Sequence, residues 1–280
     1  MIHHIFSLAI ALLLVMAGST ASFAGAWTAG KGALYEKFAF NYYYAHESFT
    51  SSGSRGTTPN SGKFSDYDLS NYLEYGLLDN LTLLNSLTYK WLENDNNTAD
   101  SKGYGLGDVE LGLRYKLLDH DTIGIIATQL IVKIPGPYSI TDSLPLGNGQ
   151  VDTELRLLYG RSLYRWFPGY GNLEIGYRFR AGDPSDELRY LVELGGDITQ
   201  KLFARVKLDG TFSIDNGNKS DGNGNPTATN NFDLGKLDLT VGYKITPTWG
   251  VELSYRPDIY GQNTAAGANY SLALFYKSGL

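Results

Sequence analysis

Apolar and polar residues alternate with a period of two along most of this chain. The clearest example spans 108–117, where every second side chain is apolar and the others are charged or glycine. The apolar set is Val109, Leu111, Leu113, Tyr115 and Leu117, and the polar set is Asp108, Glu110, Gly112, Arg114 and Lys116. Successive side chains of a β-strand point to opposite faces. The segment therefore predicts a strand with one apolar face and one charged face.

The same alternation recurs in twelve segments separated by turn-forming residues. They lie near 37–44, 65–77, 81–92, 108–117, 122–134, 151–162, 173–180, 188–197, 202–213, 237–244, 249–256 and 269–280. A single-chain bacterial barrel closes with an even number of antiparallel strands. The pattern predicts an all-β fold, a transmembrane antiparallel up-and-down β-barrel of twelve strands. A soluble β-sandwich also alternates, but its apolar side chains would lie on the inner face.

The connections between these segments alternate in length. Short links at 78–80, 118–121, 198–201 and 246–248 interleave with long polar links at 47–63, 93–105, 135–150, 214–231 and 258–268. In outer-membrane barrels the short turns face the periplasm and the long loops face outward. We therefore expect both termini on the periplasmic side. The link 135–150 begins with Pro135 and Pro137, which cannot continue a ladder, and it either folds inward or caps the rim.

Aromatic residues make up 13% of the chain, which has 21 Tyr and 33 Gly. On the predicted lipid face they fall at both ends of the strands. Tyr75, Tyr115, Tyr159, Tyr243, Trp249 and Tyr276 lie beside short turns, whereas Tyr44, Tyr67, Trp91, Phe179, Tyr190 and Tyr255 lie beside long loops. Two aromatic girdles of this kind mark the two interfaces of a membrane barrel.

The first residues predict export. An apolar run over 5–17 is followed by Ser22-Phe23-Ala24, a small-x-small site that a signal peptidase accepts. We predict a signal peptide at 1–24 and an outer-membrane β-barrel at 25–280, in the cell outer membrane of a Gram-negative bacterium. A retained helical anchor is the rival interpretation, but the apolar run is shorter than the ~20 residues that span a bilayer.

The polar face of the predicted strands carries both charges. We predict these pore-lining residues: Glu74, Asp108, Glu110, Arg114, Lys133, Glu154, Arg156, Glu174, Arg178, Arg189, Glu193, Arg205 and Lys207. Four bases on consecutive strands fall at similar depth and form a basic wall: Arg156, Arg178, Arg189 and Lys207. Such a wall favours anionic solutes in a constricted pore. Alternatively, Glu154, Glu174, Glu193 and Asp209 pair with these bases in cross-strand ladders.

The sequence gives little support for a metal site or an enzyme. The long loops are acidic, which accounts for the net charge of −6. Asp221-Gly222-Asn223-Gly224-Asn225 is similar to the first half of a calcium loop, but Pro226 stands where glycine belongs. His46 is the one histidine near the predicted outer rim, and an interfacial polar residue explains it as well as a catalytic one. We predict no enzyme, no metal and no cofactor.

Several short motifs carry a resemblance. Glu74-Tyr75-Gly76-Leu77, Asp79-Asn80-Leu81-Thr82-Leu83 and the segment 105–115 resemble the transporter-like outer-membrane proteins of the meta-pathway of phenol degradation. The start, Gly25-Ala26-Trp27-Thr28, is similar to XagA-like relatives of that family. The resemblance covers most of the mature chain in layout. It implies a barrel with a role in solute passage, and it implies no catalytic residues.

We predict a passive channel or transporter for small polar or amphiphilic solutes, with aromatic and anionic solutes included. Its partners would be outer-membrane lipid, a small-molecule solute and the barrel-insertion machinery, with no nucleic acid. The insertion machinery often reads a terminal aromatic residue, whereas this chain ends on Leu280. The alternative is a closed barrel in surface or exopolysaccharide-linked assembly, with binding by the extracellular loops.

Overall fold

The computed structural model describes residues 25–97, 100–182, 184–215 and 229–279. The predicted signal peptide, the residues Asp221 to Asn225 and Leu280 lie outside the described residues. The strands are β1 (Leu34–Phe49), β2 (Arg55–Thr57), β3 (Lys63–Leu78), β4 (Leu81–Asp95), β5 (Asp100–Leu106), β6 (Val109–His120), β7 (Gly124–Ile134), β8 (Asp152–Ser162), β9 (Gly169–Arg180), β10 (Glu187–Asp197), β11 (Leu202–Ser213), β12 (Asp233–Lys244), β13 (Trp249–Gln262) and β14 (Thr264–Ser278). None of the described segments forms a helix long and apolar enough to cross a bilayer.

The strands close into one antiparallel barrel. Each long strand pairs with the next along the chain, and β14 pairs back onto β1 from Leu34↔Ser278 to Phe49↔Thr264. The strands β5 and β6 are two successive segments of one barrel strand, because both pair with the same edge of β4. Among the described strands, the short β2 pairs only with the end of β1. The predicted twelve-stranded up-and-down barrel is confirmed.

The outer face of the barrel is apolar. Side chains predicted to face lipid are exposed, for example Leu253 at 65% and Leu272 at 60%. Exposed apolar surface costs about 25 cal/mol per Å² in water, so this surface suits lipid. Aromatic pairs such as Trp249 and Tyr276, with ring centroids 4.8 Å apart, lie on the same face. The direction of the alternation is therefore confirmed, and a soluble sandwich with an inner apolar face is excluded.

The predicted loop 258–268 is wrong. The strand β13 continues to Gln262, β14 begins at Thr264, and Asn263 makes the turn with a left-handed φ of 56°. The residues after the turn are small, which weakens the strand signal in the sequence. They are nevertheless held in the ladder because β1 is longer than predicted and pairs with them up to Phe49.

The predicted loop 93–105 is also largely strand. The strand β4 extends to Asp95 and pairs with β5 as a hairpin in which Asp95 lies opposite Asp100. An ion pair of 2.7 Å between Lys102 and Glu93 joins the two exposed arms. The loop prediction failed here because polar residues on both faces conceal the period of two.

The two ends of the barrel differ. One end carries the tight turns, such as Asp79–Asn80 between β3 and β4, and we call it the short-turn end. The other end carries the longer connections, including 135–151 between β7 and β8, together with the tight turn at Asn263, and we call it the long-loop end. The strand β1 starts and β14 stops at the short-turn end, because Leu34 pairs with both Tyr75 and Ser278. That this end faces the periplasm stays a prediction.

Candidate solute path through the barrel

Residues 25–33, which we call the N-terminal segment, cross the barrel interior at the short-turn end. The Ala26 N–H donates to Oδ1 of Asn172 on β9 at 3.1 Å, and the Ala29 N–H donates to Oγ1 of Thr82 on β4 at 2.9 Å. The Gly32 N–H donates to the Gly76 carbonyl on β3 at 2.8 Å. The segment therefore spans from one side of the wall to the other. Sequence reasoning placed no residue before β1 inside the lumen.

Two glycines of the barrel wall make room for this segment. A Cβ on Gly76 would lie 1.8 Å from the Gly30 carbonyl oxygen, and a Cβ on Gly160 would lie 2.5 Å from the Trp27 ring. The Trp27 ring also meets Tyr170 edge-on, with centroids 5.6 Å apart. The wall is thus shaped to the segment at two separate strands, β3 and β8.

A buried ion pair lies directly beneath the segment. The Arg114 guanidinium donates to Glu74 at 3.1 and 3.2 Å, to Gln129 at 2.9 Å and to the Trp27 carbonyl at 2.9 Å. Arg114 and Glu74 are 4% and 2% exposed. Charges removed from water to this degree need full hydrogen bonding, and Arg114 obtains part of it from the N-terminal segment.

The connection 135–151 folds inward at the long-loop end. Leu144 and Leu146 are buried and form an apolar cluster with Phe64 of β3 and Leu92 of β4. The prolines at its start stop β7, and the Lys133 ammonium donates to Asn148 at 2.7 Å. Of the two arrangements expected from the sequence, capping the rim or folding inward, the structure shows the second.

Tyr138 fixes this inward-folded loop. Its hydroxyl donates to Oδ1 of Asp108 at 2.5 Å and accepts from the Gly149 N–H at 3.0 Å. Burial and the hydrogen bond to Asp108 raise the pKa of the Tyr138 phenol well above its usual value. The hydroxyl therefore stays protonated and keeps its donor role at ordinary pH.

A cavity of about 540 Å³ occupies the long-loop half of the lumen. We call it the long-loop cavity. Its lining is mostly polar and comes from β1, β3, β4 and β10 to β14. Charged side chains from β10, β11 and β12 form one side, among them Arg189, Lys207 and Lys236. Hydroxyl and amide groups such as Asn41, Ser70 and Thr88 lie on the other strands.

A smaller cavity of about 100 Å³ occupies the short-turn half, and we call it the short-turn cavity. Aromatic side chains dominate its lining: Trp27, Tyr35, Tyr164, Tyr170, Phe203 and Phe275. Arg205 lines both cavities. Its guanidinium donates to Glu252 at 2.9 Å, and the Lys37 ammonium lies 3.7 Å from the same carboxylate. This group of three charges stands where the two cavities meet.

Most of the predicted pore-lining charges form a dense ion-pair network within the barrel. Arg178 donates to Glu154 and to Glu110, at 2.8 Å each, and Arg156 contacts Glu174 at 2.5 Å. Arg156 also pairs with Glu154. Two bases of the predicted basic wall, Arg156 and Arg178, are thus tightly bound to carboxylates, as the ladder alternative expected.

The remaining predicted residues take other positions. Lys133 lies 2.8 Å from Asp152 and 3.4 Å from Asp108, under the inward-folded loop. Glu193 accepts from the Tyr170 hydroxyl at 2.6 Å. Of the predicted set, Arg189, Arg205 and Lys207 line the long-loop cavity. The four bases of the basic wall are therefore divided between the ion-pair network and the cavity.

No protein-family model matches the sequence, and no curated protein matches it. Solved structures do match. An outer membrane channel from Pseudomonas putida F1 is similar over 92% of this chain and 100% of its own, with 14% identity and a TM-score of 0.74. The chain has the fold of an outer-membrane barrel. Weaker likenesses include the translocator domain of the autotransporter NalP from Neisseria meningitidis (14% identity, 98% of this chain and 95% of that one, TM-score 0.47) and the monoaromatic hydrocarbon channel CymD (8%, 90% and 89%, TM-score 0.43).

One base that lines the long-loop cavity was not predicted from the sequence. Lys236 lies on β12, which begins at Asp233 and not at the predicted 237. It has the same parity as Asp238 and Thr240, so an earlier strand start would have placed it on the interior face. The structure puts it in the long-loop cavity beside Lys207.

Proposed function

We propose that the protein is a passive channel of the Gram-negative outer membrane for small polar or amphiphilic solutes. The observation that carries the proposal is the pair of cavities inside one closed barrel, which meet at Arg205. The short-turn end, with both strand termini, faces the periplasm in this proposal. Outer-membrane lipid surrounds the apolar outer face, and the barrel-insertion machinery places it there.

The lining of the two cavities supports this class of solute. Polar groups dominate the long-loop cavity, and aromatic rings dominate the short-turn cavity. A solute with both a polar and an apolar part meets a suitable surface in each half. The charges of Arg205, Glu252 and Lys37 at the junction admit only small molecules, which fits a barrel narrower than a sixteen-stranded porin.

We propose Arg189, Arg205 and Lys207 as the pore-lining charges that a solute contacts. The other predicted charges, such as Arg178 and Glu154, shape the wall by pairing with one another. In this proposal they set the width of the path, whereas the three cavity bases set its charge preference.

We further propose that the chain is related to the transporter-like outer-membrane proteins that its motifs resemble. Both the sequence motifs and the structure support this relationship, because the motif residues contact the N-terminal segment directly or through Arg114. Thr82 accepts from Ala29, and the Asp79 carboxylate accepts from the Lys31 N–H at 3.0 Å. Glu74 holds Arg114, which binds the Trp27 carbonyl.

A closed barrel in surface or exopolysaccharide-linked assembly is the second candidate. It is favoured by the two segments that enter the lumen, the N-terminal segment at one end and the loop with Leu144 and Leu146 at the other. In that case the connections at the long-loop end would bind the partner, and the lumen would pass no solute.

Single-channel recording in planar bilayers separates the two. We expect stable conductance of the folded protein, with an anion-selective reversal potential in a salt gradient. Arg189→Gln and Lys207→Gln should reduce that selectivity, because each removes a cavity cation. Lys102→Gln is the matched control, since its ammonium lies on the exposed β4–β5 hairpin. Silence across many insertions of folded protein would instead support the closed barrel.

A further inference from the structure

Lys236 lines the long-loop cavity without an ion pair to any described residue, a property that it shares with Lys277 in the short-turn cavity. The neighbours of Lys236 across the ladder are both acids, Asp209 on β11 and Asp258 on β13. Ion pairing across strands is the ordinary outcome of such an arrangement. In the part of the chain that the structure describes, however, the Lys236 ammonium makes no ion pair within 4.0 Å and no hydrogen bond.

Both neighbouring carboxylates accept hydrogen bonds from other donors. Arg256 donates to the two oxygens of Asp209 at 2.6 and 2.8 Å. Asp258 is 2% exposed, and its Oδ2 accepts from the Tyr43 hydroxyl at 2.8 Å and the Gly267 N–H at 2.9 Å. The ammonium of Lys236 is therefore left in the long-loop cavity as an unpaired positive charge.

Two further bases on adjacent strands are held only loosely. Lys207 on β11 lies 3.4 Å from Asp238 and 3.8 Å from Asp209. Arg189 on β10 lies 3.4 Å from Glu187 and 3.7 Å from Glu154. These distances exceed the 2.7–2.9 Å that is usual for a charge-assisted hydrogen bond. Each of the three consecutive strands β10, β11 and β12 therefore presents a base whose N–H groups can bind a further acceptor.

The charge and polarity of the remaining lining point to the class of ligand. Seven lining bases outnumber five lining acids, so the cavity has an excess of positive charge. Across from Lys236, β3 contributes Asp66 and Asp68, which bind Lys90 and Asn41. Strands β1, β3, β4 and β14 also contribute short hydroxyl and amide side chains: Asn41, Ser70, Thr88, Asn269 and Ser271. Such groups exchange hydrogen bonds with hydroxyls and have no charge to repel an anion.

We propose that the long-loop cavity is a binding site for a small carboxylate that carries hydroxyl groups. The Lys236 ammonium binds the carboxylate with support from Lys207 and Arg189, and the opposite side chains bind the hydroxyls. The inference rests on the proposed channel function, which it deepens by naming the solute class. The site lies before the junction at Arg205, so binding precedes passage.

Isothermal calorimetry of the folded protein in detergent at low ionic strength tests the site directly, with gluconate as the probe. We expect gluconate to bind, and sorbitol, which has the hydroxyls but no carboxylate, to bind at least tenfold more weakly. Lys236→Gln should weaken gluconate binding at least tenfold, whereas Lys236→Arg should retain it. Lys277→Gln is the matched control, because Lys277 lies in the short-turn cavity and its ammonium also has no ion pair among the described residues.

Absence of gluconate binding, equal binding of sorbitol, or an equal loss in Lys236→Gln and Lys277→Gln would each overturn the proposal. Calorimetry requires no conduction, so it is independent of the channel function. A protein that conducts but does not bind gluconate leaves the channel standing without this site. If the protein binds gluconate through Lys236 but never conducts, the binding site is supported and the channel function is contradicted.

Discussion

Arg114 and Glu74 form a two-pronged ion pair inside the barrel although their strands are not neighbours. Arg114 lies on β6 and Glu74 on β3, with β4 between them, and the guanidinium donates to both carboxylate oxygens. A third donor position holds the Trp27 carbonyl. The ion pair therefore connects β3 and β6 to each other and to the N-terminal segment. Removing it tests how much these contacts stabilise the barrel.

Removing the carboxylate should destabilise the whole barrel. Glu74→Ala leaves the Arg114 charge buried without its partner, which costs about 3–5 kcal/mol. Urea unfolding in lipid vesicles, followed by tryptophan fluorescence, measures the loss. The matched control is Glu93→Ala, which breaks the exposed pair with Lys102 and should cost less than about 1 kcal/mol. Equal effects of the two substitutions would contradict the assignment of Glu74 as a buried partner.

The N-terminal segment should narrow the conducting path. Gly76→Ala places a methyl group 1.8 Å from the Gly30 carbonyl oxygen, so the segment has to move away from β3. We expect a larger single-channel conductance than in the wild type. Gly30→Ala is the control, because a Cβ there has no neighbouring atom within 4 Å. If the conductance of Gly76→Ala equalled that of Gly30→Ala, the segment would not limit the current.

The loop that folds inward should detach when its apolar anchor is shortened. Burial of a leucine contributes about 2–5 kcal/mol relative to alanine, and Leu144 and Leu146 are the two leucines of the loop in the cluster. The double substitution Leu144→Ala, Leu146→Ala should accelerate amide hydrogen exchange across 138–149. Ile140→Ala, at a side chain that is 63% exposed, should leave the exchange rates unchanged. Unchanged rates in the double variant would show that other contacts hold the loop.

A charge placed on the outer, lipid-facing side of the barrel should destabilise it. Leu253 is 65% exposed and pairs with Val241 and Leu272, which are exposed on the same face. Arginine at the centre of this face costs about 2–4 kcal/mol in a bilayer. We expect Leu253→Arg to lower the unfolding free energy in vesicles by this amount. Tyr104→Arg, on the hairpin arm at a 74% exposed side chain, should change it little.

The barrel fold was predictable from the sequence because the alternation of apolar and polar residues is visible within each strand. A period of two along 108–117 sets which side chains face lipid, and the structure agrees that Leu111 and Leu113 face outward while Arg114 is buried. The hairpin around Asn263 was missed because small residues conceal strands that long-range pairing with β1 enforces. Strand propensity depends on such context.

The interior was predictable in composition but not in arrangement. Parity placed Arg178 and Lys207 on the same face, yet one is bound by Glu154 and the other lines the cavity. Which acid takes which base depends on distances between strands that are far apart in the chain. The two acids beside Lys236 bind Arg256 and Tyr43 instead, and no pattern along β12 contains that information.

The partners of the N-terminal segment also bear on the order of assembly. The Ala26 N–H binds Asn172, 146 residues further along the chain, and the Ala29 N–H binds Thr82, 53 residues further along. Contacts over such separations form after local ones, because a long loop must close first. The N-terminal segment is therefore among the last parts of the barrel to reach its native position, because the strands that bind it have to come together first.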